Sequence, residues 1–130
     1  MDFPSDLKYT ESDEWIRVEG EKGTIGITDY AQDQLSDIVY VEVLAALGAS
    51  LEKGAVFAAV ESVKAAADIY MPVGGKIVEV NESLADTPEM VNTDPYGEAW
   101  LVRIELADAS ELDALKDAAA YEKSCEERSH

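Results

Sequence analysis

Short β-prone runs, each closed by glycine or proline, recur through most of this chain and leave few folds open to it. Trp15-Ile16-Arg17-Val18 and Thr24-Ile25-Gly26-Ile27 are two such runs, with Gly20 and Gly23 supplying the turn between them. Ile38-Val39-Tyr40-Val41-Glu42-Val43 is rich in the β-branched and aromatic residues that suit a pleated, half-buried or buried surface. Gly48 and Gly54 bracket a short connection, after which Val56 to Val60 reads as another strand. Met71-Pro72-Val73-Gly74-Gly75 must turn. Lys76-Ile77-Val78-Glu79-Val80 alternates cleanly, and Trp100 to Ile104 makes a last strand. Regular short strands with this punctuation mean a sandwich or a barrel.

Helices are minor in this reading. Thr28 is placed to cap a short turn through Asp29-Tyr30-Ala31-Gln32, and Asn81 to Pro95 reads as loop with a turn of helix. Ser110-Glu111-Leu112-Asp113 resembles a capping box, which predicts a helix over about 110–122. Leu112, Leu115, Ala119 and Glu122 fall at helical spacing and form one stripe against the sheet. Asp37-Ile38-Val39-Tyr40-Val41 echoes Lys76-Ile77-Val78-Glu79-Val80, a weak sign of two related halves.

With 130 residues the chain is expected to form one domain, residues 1–130, and its 47% apolar content suffices for a core. Ten Lys and Arg stand against 28 Asp and Glu, a net charge of −18. That balance favours solubility, argues against nucleic acid as a partner and suits partners with basic patches. The lone cysteine, Cys125, excludes an internal disulfide and fits a reducing compartment. It is expected in a frayed helix with no chemistry. No stretch approaches the roughly 18 apolar residues of a membrane span. The opening residues, Met1 to Asp6, read as neither signal nor transit peptide. A bacterial cytoplasmic protein, or a mature protein of the mitochondrial matrix, is expected.

Enzyme chemistry finds little support. The only histidine is His130, so no Ser-His or Cys-His nucleophile pair is expected. No Cys/His cluster suits zinc, no EF-hand loop is present, and Gly74-Gly75 before Lys76 is a turn rather than a phosphate cradle.

Glu61-Ser62-Val63-Lys64-Ala65-Ala66 is the segment with most to say about function. It sets one lysine among small residues, between Val56–Val60 and Ala67-Asp68-Ile69-Tyr70. Propensity permits a helix from Val60 to Ala67, and no Asn-Gly or Asp-Gly pair marks a tight hairpin. Periodicity alone does not place Lys64 on a turn.

The segment resembles the lipoyl-attachment site of the glycine cleavage system H-protein family. Other blocks match the same family in order, from about Asp6 to Tyr121. These are Leu7-Lys8-Tyr9, Glu14-Trp15, Gly26-Ile27-Thr28-Asp29-Tyr30-Ala31-Gln32, Val91-Asn92, Asp94-Pro95-Tyr96-Gly97 and Trp100-Leu101. The resemblance implies a mostly β, flattened barrel-sandwich hybrid of the lipoyl/biotinyl-domain type. Its core would span about 15–106, with short helices and a C-terminal helix.

It also implies a carrier, not a catalyst, with lipoate in amide linkage to Lys64. The aminomethyl group of glycine would pass from a pyridoxal-phosphate glycine decarboxylase to a tetrahydrofolate-dependent aminomethyltransferase. Dihydrolipoamide dehydrogenase would reoxidise the arm, and a lipoate ligase or a lipoyl/octanoyl transferase would install it. A monomer is expected. By the same resemblance, Glu14, Asp68 and Ser12 would hold the cationic end of the loaded arm through charge-assisted hydrogen bonds. Asp13 stands where the family usually has His, Ser36 where it prefers Gly, Leu44 where Pro is usual, and Ala67 where many relatives have Ser.

Related carriers separate by sequence. Biotinyl carriers typically flank the lysine with Met, and 2-oxoacid dehydrogenase lipoyl domains precede it with Asp; Val63 and Ala65 flank Lys64. An H-like lipoyl carrier or donor serving another pathway, such as sulfur oxidation, is the alternative. A relative that is never lipoylated is disfavoured by the intact attachment segment.

Overall fold

The β-prone runs become nine strands in two sheets in a computed structural model, which describes residues 1–128. His130 lies outside the described residues.

One sheet has six strands in the order β1 (Lys8–Tyr9), β2 (Glu14–Glu19), β3 (Lys22–Ile27), β9 (Val102–Leu106), β8 (Gly75–Val80) and β5 (Ser50–Leu51). The other has three strands, in the order β4 (Ile38–Val43), β6 (Val56–Ser62) and β7 (Ala66–Tyr70). Every strand pair is antiparallel. The sheets stay open and do not close into a barrel. Ile16, Ile25, Ile77 and Ile104 of the larger sheet meet Val41, Phe57, Val60 and Ile69 of the smaller in one buried core. The echoing segments, β4 and β8, fall in opposite sheets.

The predicted strands and turns need three adjustments. Only Gly20, with φ +65°, lies between β2 and β3; Gly23 is inside β3, where a Cβ would stand 2.7 Å from Ile16 Cδ1. The last strand begins at Val102 rather than Trp100 and runs to Leu106. β1 and β5, two residues each, carry too little pattern to be seen in sequence.

Thr28 does cap a helix: its Oγ1 accepts from Ala31 N at 3.1 Å, and α1 runs over Asp29–Leu35. Between Asn81 and Pro95 lie a 3-10 turn, Glu82–Ala85, and a four-residue helix, α2 (Met90–Thr93).

The C-terminal helix is where sequence and structure part. Residues Ala109–Ala114 form a 3-10 helix capped by Asp108, not by Ser110. The chain then extends, and Lys116 makes a β-bridge to Tyr9. Helix α3 spans Ala118–Arg128, opened by Asp117 Oδ1 accepting from Ala120 N at 2.8 Å. Ala119 and Glu122 are exposed; the buried side chains are Tyr121 and Cys125. Cys125 is 3% exposed, so its segment is packed rather than frayed. Leu7, Tyr9, Trp15, Tyr30, Tyr96 and Tyr121 form a second buried cluster under this helix. The Tyr9 and Tyr121 rings stack at 4.6 Å, an arrangement that adds about 0.5–1.5 kcal/mol beyond burial.

Candidate functional site: an exposed lysine turn and a buried carboxylate

Strands β6 and β7 pair from Val56↔Tyr70 to Glu61↔Ala66, so the segment that propensity left open is a hairpin with Val63, Lys64 and Ala65 at its tip. Sheet pairing overrides helix propensity here: with β6 and β7 extended and paired, Val60 and Ile69 bury in the core, and a register shift beside Val56 lets the adjacent Phe57 and Ala58 bury as well.

Ser62 makes the turn. Its hydroxyl oxygen accepts from Lys64 N at 3.2 Å and Ala65 N at 3.0 Å, and its O–H donates to Ala65 O at 3.1 Å. Val63 N donates to Asp37 O at 3.0 Å, tying the tip to the chain that leaves α1. Asn92 supports that chain from α2: its Oδ1 accepts from Ile38 N, and its Nδ2 donates to Ser36 O and Gln32 Oε1. Lys64 therefore stands on a fixed backbone with an exposed side chain that makes no hydrogen bond or ion pair among the described residues.

Outward-facing Ala66, Asp68 and Tyr70 alternate along β7 from this tip toward Glu14. Six residues of extended chain from Lys64 to Tyr70 cover about 20 Å. At the far end lies a cavity of about 460 Å³, lined by Thr10, Ser12, Glu14, Lys53, Tyr70 and Lys116 among others. Asp68 is exposed and lies outside this cavity; Glu14 and Ser12 are brought together within it.

Glu14 is 1% exposed. Its Oε1 accepts from Thr10 Oγ1 at 2.6 Å and Ser12 Oγ at 2.7 Å, and its Oε2 accepts from Tyr70 N at 3.4 Å. Burial pushes its pKa above the ordinary carboxylate value, and the hydrogen bonds from Thr10, Ser12 and Tyr70 pull it partly back. All three donors are neutral, and none of the ion pairs among the described residues includes Glu14. A buried carboxylate supplied only with neutral donors is well suited to take an incoming cation. Thr10 was not singled out from sequence; its spacing in Thr10-Glu11-Ser12-Asp13-Glu14, with hydroxyls two and four residues before the acid, was the available signal.

A larger cleft, about 570 Å³, lies between α1 and α3 and includes neither Lys64 nor Glu14. Among the described residues no group of His, Cys, Asp and Glu is arranged to hold a metal ion, and no helix is long and apolar enough to cross a membrane.

Comparison with known proteins gives this geometry its context. A family model described as "Glycine cleavage H-protein" matches residues 7–128. The chain belongs to the glycine cleavage H-protein family. It is 54% identical over 126 residues to a glycine cleavage system H protein of Thermus thermophilus, covering 97% of this chain and 98% of that one. It is 53% identical over 122 residues to the mitochondrial glycine cleavage system H protein 2 of Arabidopsis thaliana, covering 94% of this chain and 78% of the relative. The crystal structure of a glycine cleavage system H protein from Mycobacterium marinum superposes with a TM-score of 0.83 at 35% identity, covering 92% of this chain and 96% of that one. This places the open two-sheet fold with H-protein structures of the lipoyl, barrel-sandwich type.

Proposed function

We propose that this chain, acting over residues 1–130 as a single unit, is the lipoyl carrier of a glycine cleavage system, with lipoate in amide linkage to Lys64 Nζ. Membership of the H-protein family makes it a carrier component rather than a catalyst. The observation that carries the assignment of Lys64 is its position: an exposed amine with no partner among the described residues, on a turn braced by Ser62 and Asp37. A ligase must reach the amine, and the attached arm must reach several active sites; a rigid hairpin tip serves both needs. Bound there, lipoate supplies a disulfide that takes up the aminomethyl remainder of glycine and a dithiol that is later reoxidised.

The chain's own residues have a second task. Glu14, with Thr10 and Ser12 oriented on it, receives a primary ammonium brought into the cavity, forming charge-assisted hydrogen bonds that neutral donors cannot match. Asp68, on the outward face of β7, draws the cation along the strand. Tyr70, Met71 and Leu115 supply apolar walls to this cavity.

The partners in this reading are glycine decarboxylase, the tetrahydrofolate-dependent aminomethyltransferase, dihydrolipoamide dehydrogenase, and a lipoate ligase or lipoyl/octanoyl transferase. The chain works as a monomer, in the cytoplasm of a bacterium or the mitochondrial matrix. Glycine-dependent exchange of labelled bicarbonate, run with glycine decarboxylase and lipoate-loaded protein, tests the function. Exchange with the parent and none with Lys64→Arg is the expected result. Exchange surviving in Lys64→Arg would defeat it.

A further inference from the structure

Asp13 lies between Ser12 and Glu14 with φ +73°, in the left-handed region that Asp tolerates better than most residues. Its turn is closed by Asp13 N donating to Thr10 O at 3.3 Å, Thr10 N to Glu14 O at 3.0 Å and Glu14 N to Thr10 Oγ1 at 3.0 Å, and none of these bonds engages the Asp13 side chain. The contacts to the Asp13 side chain come from elsewhere. Arg128 donates twice to the Asp13 carboxylate, Nη2 to Oδ1 at 2.6 Å and Nη1 to Oδ2 at 3.2 Å. The Tyr121 hydroxyl donates to Asp13 Oδ1 at 2.9 Å and shares a 2.6 Å hydrogen bond with Thr28, the cap of α1. Thr28 N in turn donates to Asp13 O at 3.0 Å.

Tyr121 and Arg128 are seven residues apart, two turns along one face of α3. The Tyr121 ring is fixed by its stack on Tyr9, and the Arg128 guanidinium lies 4.7 Å over the Tyr30 ring. The lead-in to the helix grips the same turn from its other side. Lys116 exchanges backbone hydrogen bonds with Tyr9 at 2.8 and 2.9 Å, and its Nζ sits 3.3 Å from Glu11 Oε1.

We infer that α3 is a positioning element for the Glu14 cavity: Tyr121 and Arg128 fix Asp13, and the fixed turn aims the Thr10 and Ser12 hydroxyls at the Glu14 carboxylate. The functional meaning rests on the reading of Glu14 as the ammonium-docking group; the positioning itself does not. Tyr121 and Arg128 are positioning residues, acting through Asp13 on a carboxylate they do not touch.

The test uses the full chain and three variants. Arg128→Met removes the double hydrogen bond, Arg128→Lys keeps the charge, and Tyr121→Phe removes one hydroxyl without changing any charge. The charged groups facing Glu14, namely Asp13, Glu11, Lys53 and Lys116, are unaltered in all three. Two readouts are taken: the NMR titration of the Glu14 side-chain carboxyl carbon, and the affinity of the cavity for methylammonium by chemical-shift titration.

A turn that loosens withdraws hydroxyls that stabilise the carboxylate. Tyr121→Phe and Arg128→Met should therefore both titrate Glu14 at higher pH and bind methylammonium several-fold more weakly, with partial recovery in Arg128→Lys. A helix that merely adds stability would lower the unfolding temperature and leave Glu14's titration where it was. That outcome in Tyr121→Phe, whose ring stack is preserved, overturns the inference even if Arg128→Met fails to fold. Should methylammonium not bind the parent at all, the docking role of Glu14 falls, while its titration still decides the positioning role of α3.

Discussion

Replacing Ser36 with glycine should make the protein more stable. Ser36 ends α1 with φ 70° and ψ −153°, a conformation adopted almost only by glycine. Holding a side chain there costs about 1–3 kcal/mol. The Ser36 hydroxyl makes no hydrogen bond among the described residues, so nothing in the side chain offsets that cost. Its backbone bonds, N–H to Gln32 O at 3.0 Å and C=O from Asn92 Nδ2 at 2.9 Å, survive in glycine. Against the relief stands the greater freedom of glycine in the unfolded chain, about 0.4–1 kcal/mol. The difference is a net gain of about 1 kcal/mol, or roughly 2–8 °C in the unfolding midpoint for a domain of this size. Thermal unfolding followed by circular dichroism measures it, with Ser36→Ala as control, because alanine keeps the Cβ that meets the strain. Ser36→Gly should melt above the parent and Ser36→Ala should not. A glycine variant no more stable than the parent, or an alanine variant matching it, would refute the argument from backbone strain.

Two other substitutions bear on the core and the site. Gly75→Ala should destabilise by about 1–3 kcal/mol, since its Cβ would stand 2.6 Å from the Glu105 carbonyl oxygen and 2.8 Å from Ile104 Cδ1; urea denaturation would show this as a lower midpoint. Glu14→Gln tests the buried carboxylate through pH. The folded pKa of Glu14 is raised above its ordinary value near 4.5, so the folded state holds the proton more tightly than the unfolded chain and loses stability as pH rises through that window. Measured against Glu14→Gln by urea midpoints at pH 4 and pH 7.5, the parent should lose relative stability at the higher pH. Relative stability rising with pH would mean that the hydroxyls, rather than burial, dominate.

Much of this arrangement was legible in the sequence, and the exceptions share a cause. Ile38–Val43 and Lys76–Val80 were readable because runs of β-branched residues favour extended, pleated chain. Thr28 was readable because a helix cap is a local event. The hairpin at Lys64 was not, since local propensity permitted a helix and only pairing with β4 and burial of Val60 and Ile69 decide against one. The C-terminal helix was misplaced for a similar reason. Leu112 and Leu115 have helical spacing, yet the bridge from Lys116 to Tyr9 extends the chain between them and α3. Of the site, Glu14 and Ser12 came from family resemblance; Thr10 is a local partner whose spacing was readable, whereas the contacts of Glu14 with Tyr70 and of Asp13 with Arg128 join residues 56 and 115 positions apart and carry no local signal.

The carrier function rests on Lys64. Intact mass and peptide mapping after co-expression with a lipoate ligase and lipoate address it most directly. One lipoyl group, found on the peptide containing Lys64 and absent from Lys64→Arg, is the predicted result. A chain left unmodified under conditions that load a control H protein, or a lipoyl group on any other lysine, would contradict it.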